Sequence, residues 1–291
     1  MIMEPTNPLM NRLAKGLAIS VLGLALGIQP ATAKSPKAGS KATTVASASA
    51  RGSGSTVTAT ASCPSGMRVT GGGFNAPSSV EVLGLVYESV RVNPRSWRSS
   101  AQLLDMGTTS GLTLSTYAYC EKDAPRIKRR RASVATDGVP QLGPTASARC
   151  RRGESALAGG FSTPPPLIGQ GVSALVLDSH RNGGSAWDTR VATGSAAPST
   201  LTSEAYCARG AASNERSATS PLNTTFFETS TATASCSPSA ERSGGFAQPL
   251  SVLESFLIIY ESRRVDGGWR VSGIHSGANP GVAVSALAYC D

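Results

Sequence analysis

The chain has 291 residues, only 5% of them aromatic, and its 40% apolar fraction leans on alanine, which suits small cross-linked units better than one large core. The formal charge of +9 is gathered mainly in 34–54 (Lys34, Lys37, Lys41, Arg51) and 121–149 (Arg126, Lys128, Arg129, Arg130, Arg131). A charge excess confined to polar connectors, beside near-neutral repeats, is not a phosphate-binding groove, so no specific nucleic-acid partner is expected.

In chain order, 1–33 reads as a signal peptide. Arg12 and Lys15 give a basic start, Gly16 to Ile28 an apolar run, and Ala31-Thr32-Ala33 a small-x-small cleavage pattern. The run is short of the ~20 residues a helix needs to cross a bilayer, so no membrane span is expected after cleavage. Met10 is a more typical start than Met1, and no cysteine near the cleavage site indicates a lipid anchor. Residues 34–55 are polar, lack aromatics and read as a disordered linker.

One pattern is then written three times, over 56–121, 145–208 and 228–291, separated by a basic linker (122–144) and a second linker (209–227). Each copy runs from Cys63, Cys150 or Cys236 through a Gly-Gly-Phe, an acid-Ser-x-Arg, a tryptophan and a closing Ala-Tyr-Cys. Such a self-match makes the repeat the unit to explain. Within each copy, short runs rich in Val, Thr, Ala and Tyr are divided by turns such as Asn93-Pro94-Arg95, Asn182-Gly183-Gly184 and Asp266-Gly267-Gly268. These are hairpin signals, and beyond the signal segment no helical period stands out, so the fold is expected to be all-β. The basic linker reads as a solvated connector, with a protease-nicking site or an anchor to an acidic polymer as the sharper alternative. Phe226-Phe227 in the second linker could cover a sheet edge.

Six cysteines allow fifteen pairings, and sequence alone does not choose among them. The pairing that treats all copies alike and stays within each is Cys63 with Cys120, Cys150 with Cys207 and Cys236 with Cys290. Neither Cys-x-x-Cys nor equivalent histidines are present, so structural disulfides are expected rather than a metal or other cofactor.

The candidate ligand-binding residues are Trp97, Trp187 and Trp269, which would stack on sugars if exposed and fill the core if buried. To these are added Arg91, Arg181 and Arg264 of the acid-Ser-x-Arg elements. In a strand the Ser and Arg of that element share one face and the acid takes the other, so Asp178, Ser179 and His180 do not form a catalytic triad. No catalytic residue is assigned. The glycines of Gly-Gly-Phe lack the helix and lysine of a phosphate loop and suit a bulge or close packing near a pseudo-symmetry axis.

Cys-Pro-Ser-Gly-x5-Gly-Gly-Phe (Cys63 to Phe74), with the apolar strand, the tryptophan and the terminal Ala-Tyr-Cys, resembles a repeat found in secreted bacterial proteins of unassigned function. More distantly it is similar to the vitelline membrane outer layer proteins, a likeness that spans 56–290. The third copy departs from it, with Ser-Pro-Ser after Cys236 and one residue fewer before the Phe. That likeness implies three pseudo-equivalent repeats closed as a β-prism, with a β-trefoil or three small tandem β domains as alternatives. It transfers no functional residue. The function expected is non-catalytic binding outside the cell or in the periplasm, of a surface glycan or cell-envelope polymer. A structural coat protein and a secreted hydrolase with one degenerate site are the alternatives.

Overall fold

A computed structural model describes residues 44–52, 56–78, 82–105, 111–136, 141–165, 174–193, 198–210, 213–221, 225, 227–236, 241–248, 255–277 and 282–291. All lie in the second of the two units into which the chain divides, Ala38–Asp291. The signal peptide expected over 1–33 and the start of the first linker lie outside the described residues.

Three modules of six strands follow one another. The first has β1 (Thr44–Gly52), β2 (Thr56–Ser62), β3 (Arg68–Asn75), β4 (Val82–Asn93), β5 (Ser96–Asp105) and β6 (Leu112–Glu121). The second has β7 (Lys128–Thr136), β8 (Gln141–Arg149), β9 (Glu154–Ser162), β10 (Leu175–Asn182), β11 (Ala186–Thr193) and β12 (Ser199–Arg209). The third has β13 (Asn214–Thr219), β14 (Thr229–Ser235), β15 (Glu241–Ala247), β16 (Ser255–Val265), β17 (Gly268–Gly277) and β18 (Ser285–Cys290). Among the described residues there is no helix, so none is long and apolar enough to cross a membrane.

The strands form three six-stranded antiparallel sheets. Sheet A runs β1-β6-β3-β16-β17-β14, sheet B runs β2-β5-β4-β9-β12-β7, and sheet C runs β13-β18-β15-β10-β11-β8. Each sheet takes the first, third and last strands of one module and the second, fourth and fifth of another. The first module shares sheet B with the second, the second shares sheet C with the third, and the third shares sheet A with the first. The ring closes. Tandem domains are therefore ruled out, and with three separate sheets in place of a closed barrel, so is a trefoil. The structure is a three-sided prism.

Each stretch expected as a linker contributes a strand. β1 lies in 34–55, β7 in 122–144 and β13 in 209–227, and they pair along their lengths with β6, β12 and β18. They resembled linkers because an edge strand has little to bury: β1 (TVASASARG) turns only alanines half inward, and β13 (NERSAT) is almost wholly exposed. β7 is edged with cations, a usual protection against unwanted strand pairing. Phe227 packs against the cluster of Leu83, Leu85, Leu175, Leu177, Ile258 and Ile274, whereas Phe226 is outside the described residues.

The core follows the pseudo-threefold. Phe74, Phe161 and Phe246, one per sheet, meet edge-to-face with centroids 6.1–6.4 Å apart. Disulfides join Cys63 to Cys120, Cys150 to Cys207 and Cys236 to Cys290, with Cα–Cα distances of 5.6, 5.6 and 5.5 Å. Because the two cysteines of a pair come from different sheets, the bonds tie B to A, C to B and A to C. The chain is thus built for an oxidising environment. Closing loops of this length constrains the unfolded chain by about 4 kcal/mol each in the loop-entropy model.

Candidate functional site

The three tryptophans are not platforms. Trp97, Trp187 and Trp269 are 1%, 2% and 1% exposed, and each indole lies over the first glycine of its own module's Gly-Gly-Phe, in the adjoining sheet. A Cβ on Gly72, Gly159 or Gly244 would come within 2.0–2.2 Å of the ring, so only glycine admits the tryptophan. Each Nε1–H donates to the serine of the acid-Ser-x-Arg element: Trp97 to Ser89 at 2.9 Å, Trp187 to Ser179 at 2.9 Å, Trp269 to Ser262 at 3.0 Å. A stacking role for these side chains is corrected to a core one.

The arginines of that element are structural in their backbone. The third and fourth strands of different modules pair over only one or two positions at the centre of each sheet, leaving the N–H groups beyond unmatched. The tyrosine of Ala-Tyr-Cys reaches beneath the intervening strand to accept them. Arg91 N–H donates to Tyr206 Oη at 2.6 Å, Arg181 to Tyr289 at 2.7 Å and Arg264 to Tyr119 at 2.7 Å. The second glycine gives this hydroxyl its passage, since a Cβ on Gly160 would lie 2.4 Å from the Ser89 carbonyl and 3.1 Å from Tyr206 Oη. The guanidiniums of Arg181 and Arg264 cover the tyrosine rings at 4.2 and 4.5 Å. Burial pushes all three phenols well above their ordinary range, so they remain hydroxyls.

The acids face outward, where the copies diverge. In sheet B, Glu88 accepts from Arg98 at 2.9 and 2.8 Å and from Ser100 at 2.9 Å. In sheet A, Glu261 accepts from Arg270 at 2.7 and 3.0 Å, Ser272 at 2.7 Å and Arg263 at 2.7 Å. The arginine is the residue after the tryptophan in both, and the serine is two further on. Sheet C exchanges this order: Asp188 follows Trp187 and Arg190 takes the serine's place. Arg190 bonds Asp178, whose other oxygen accepts the Gln248 N–H at 2.6 Å. His180 stands directly across the ladder from Asp188.

Replacing a long arginine by Asp188 leaves space. A cleft of about 380 Å³ opens on this face, lined by Asp178, His180, Asp188, Arg190, Gln248 and Thr145, with Ala247 and Ser285 at its border. Asp188 holds one oxygen on Asn182 Nδ2 at 2.7 Å, while its Oδ1 and the Nε of Arg190 have no partner among the described residues. The acids also titrate in opposite senses. Burial raises the Asp178 carboxyl above its usual range despite Gln248 and Arg190. At Glu261 burial acts the same way, but the hydrogen bonds of Arg270 and Ser272 outweigh it and hold that carboxyl low.

The cleft residues Asp188, Arg190, Gln248 and Thr145 had not been singled out from the sequence. The signal was present when the copies are aligned on tryptophan, as Trp-Arg-x-Ser, Trp-Asp-x-Arg and Trp-Arg-x-Ser. Among the described residues no group of three or more His, Cys, Asp and Glu is arranged to hold a metal ion. Neither a protein-family model nor a curated protein matches this chain.

Proposed function

We propose that this is a secreted, non-catalytic binding protein whose cleft on sheet C takes a hydroxyl-rich ligand, one or two sugar units of a surface glycan or cell-envelope polymer. The observation that carries the reading is the exchange of Arg and Ser for Asp188 and Arg190 in one copy of three, with a polar cleft at the position where the other copies lay Arg98 or Arg270 against the acid. Its volume falls in the ~300–1,000 Å³ range of ligand sites. Sugar hydroxyls both donate and accept, and the lining brings together groups of both kinds in the Thr145 hydroxyl, the His180 ring and the Asp188 carboxylate. Both oxygens of Asp178 are already engaged, which disfavours the pair of working carboxylates that most glycosidases need. Export is supported by the basic start, apolar run and Ala31-Thr32-Ala33, and by the disulfides.

The test is a glycan array probed with the mature protein and with Asp188→Ala, His180→Ala and Arg98→Ala. The reading expects a restricted set of glycans bound, loss with the first two variants and retention with the third, which alters the filled face of sheet B. Equal loss in all three, or no glycan bound, would count against it.

A further inference from the structure

A second site stands at the junction of sheets A and B, and its argument is independent of the cleft. Arg181 and Arg264 each face an acid, the Glu215 carboxylate at 4.0 Å and, at 3.9 Å, Glu241, whose carboxyl burial keeps protonated into the neutral range. Their counterpart Arg91 has none among the described residues. It is 9% exposed, spends one Nη on the Pro94 carbonyl at 3.2 Å, and leaves its Nε without a partner. What approaches instead is more positive charge. Arg129 from the edge strand β7 reaches the Arg91 carbonyl at 3.4 Å, and Arg68, at the start of β3, precedes Val69, whose N–H donates to the same Pro94 carbonyl at 3.0 Å. Burial first, and then the charges of Arg68 and Arg129, hold the Arg91 guanidinium below its ordinary range, against an opposing effect of Tyr206.

The acids nearby do not offset this group. Glu204 is shared between Arg131 at 2.5 Å and Arg129 at 3.8 Å and also accepts the Tyr206 hydroxyl at 2.6 Å. Glu121 stands opposite Arg68 in the β3–β6 ladder, with no ion pair to it among the described residues. Lys128 and Arg130, on the other face of β7, are held by Glu154 at 3.5 Å each. A buried cation without a counter-charge is costly, and an oxyanion arriving between Arg68, Arg91 and Arg129 would remove that cost through charge-assisted bonds. The basic segment once read as a linker is therefore a folded wall of this site.

We infer that Arg68, Arg91 and Arg129 form a binding site for an oxyanion carried on a polymer, the carboxylate of an acidic polysaccharide or the phosphate of a phosphate-linked one. The probes are polygalacturonate and inorganic polyphosphate, with neutral dextran as blank, and retention of the full mature protein is measured against ionic strength. Arg68→Gln/Arg129→Gln removes two exposed charges from the site, and Arg51→Gln/Arg216→Gln removes two exposed charges from β1 and β13. Expected are retention on at least one polyanion and not on dextran, at least tenfold weaker binding for the first double variant, and a change within twofold for the second. The polyanion retained identifies carboxylate or phosphate. Arg91→Gln should weaken binding similarly; if it does not fold, the exposed double variant decides. Equal weakening by both double variants, an unchanged Arg68→Gln/Arg129→Gln protein, or no retention by the wild type would each overturn the site.

Discussion

On the inner side of the sheets, Trp97, Trp187 and Trp269 do one thing three times: each lies on a glycine and donates to a serine. One residue further along the same strands, on the outer side, Arg98, Asp188 and Arg270 do not repeat. The difference follows from packing. An inner side chain touches two sheets and a neighbouring module, so a change in one copy must be accommodated by the others. An outer side chain answers only to its own hairpin and solvent. The interior therefore keeps the symmetry, and the outer faces are free to acquire a ligand site in one copy.

If the interior is threefold in energy as well as geometry, Trp97→Ala, Trp187→Ala and Trp269→Ala should each cost about 3–5 kcal/mol, the usual range for a buried tryptophan. Denaturant unfolding should return similar values for the three, and one cheap replacement would break the equivalence. One departure from the symmetry lies beside a disulfide. Glu241 lies opposite Cys290 in the ladder, where Val69 and Ala156 lie opposite Cys120 and Cys207. Burial pushes its carboxyl up to about 8, only partly opposed by Arg264. Between pH 4.5 and 8 the native state thus keeps a proton that the unfolded state has released, so stability falls as pH rises through this window. The fall should be on the order of a few kcal/mol, and Glu241→Gln should flatten it in unfolding curves taken from pH 4 to 9. The smallest inner effect should come from Tyr206→Phe, which strips the Arg91 N–H and Glu204 of a partner at a cost of about 1–3 kcal/mol. Amide exchange at Arg91 should quicken in that variant.

The repeat, the all-β class and the pairing of cysteines were legible because each copy carries them in fixed order. The sharing of sheets was not. The pairs that join modules, such as Ser89 with Phe161 and Ser262 with Phe74, are few and distant in sequence, and they leave no periodic trace. β1, β7 and β13 were missed because alanines, serines and arginines at a sheet edge look like a solvated connector. The tryptophans could not be placed from their own position, since burial depends on Gly72, Gly159 and Gly244 one sheet away. The cleft on sheet C was visible only as a departure, and a departure among copies gains meaning once the shared network is known.

The most direct measurement restores the missing symmetry. Asp188→Arg/Arg190→Ser gives sheet C the outer pattern of sheets A and B, and the variant is compared with the wild type on the same glycan array and in thermal unfolding. The account predicts an unchanged melting transition and loss of the bound glycans, because the new arginine would reach Asp178 and fill the cleft. Glycan binding that survives the double substitution would contradict it.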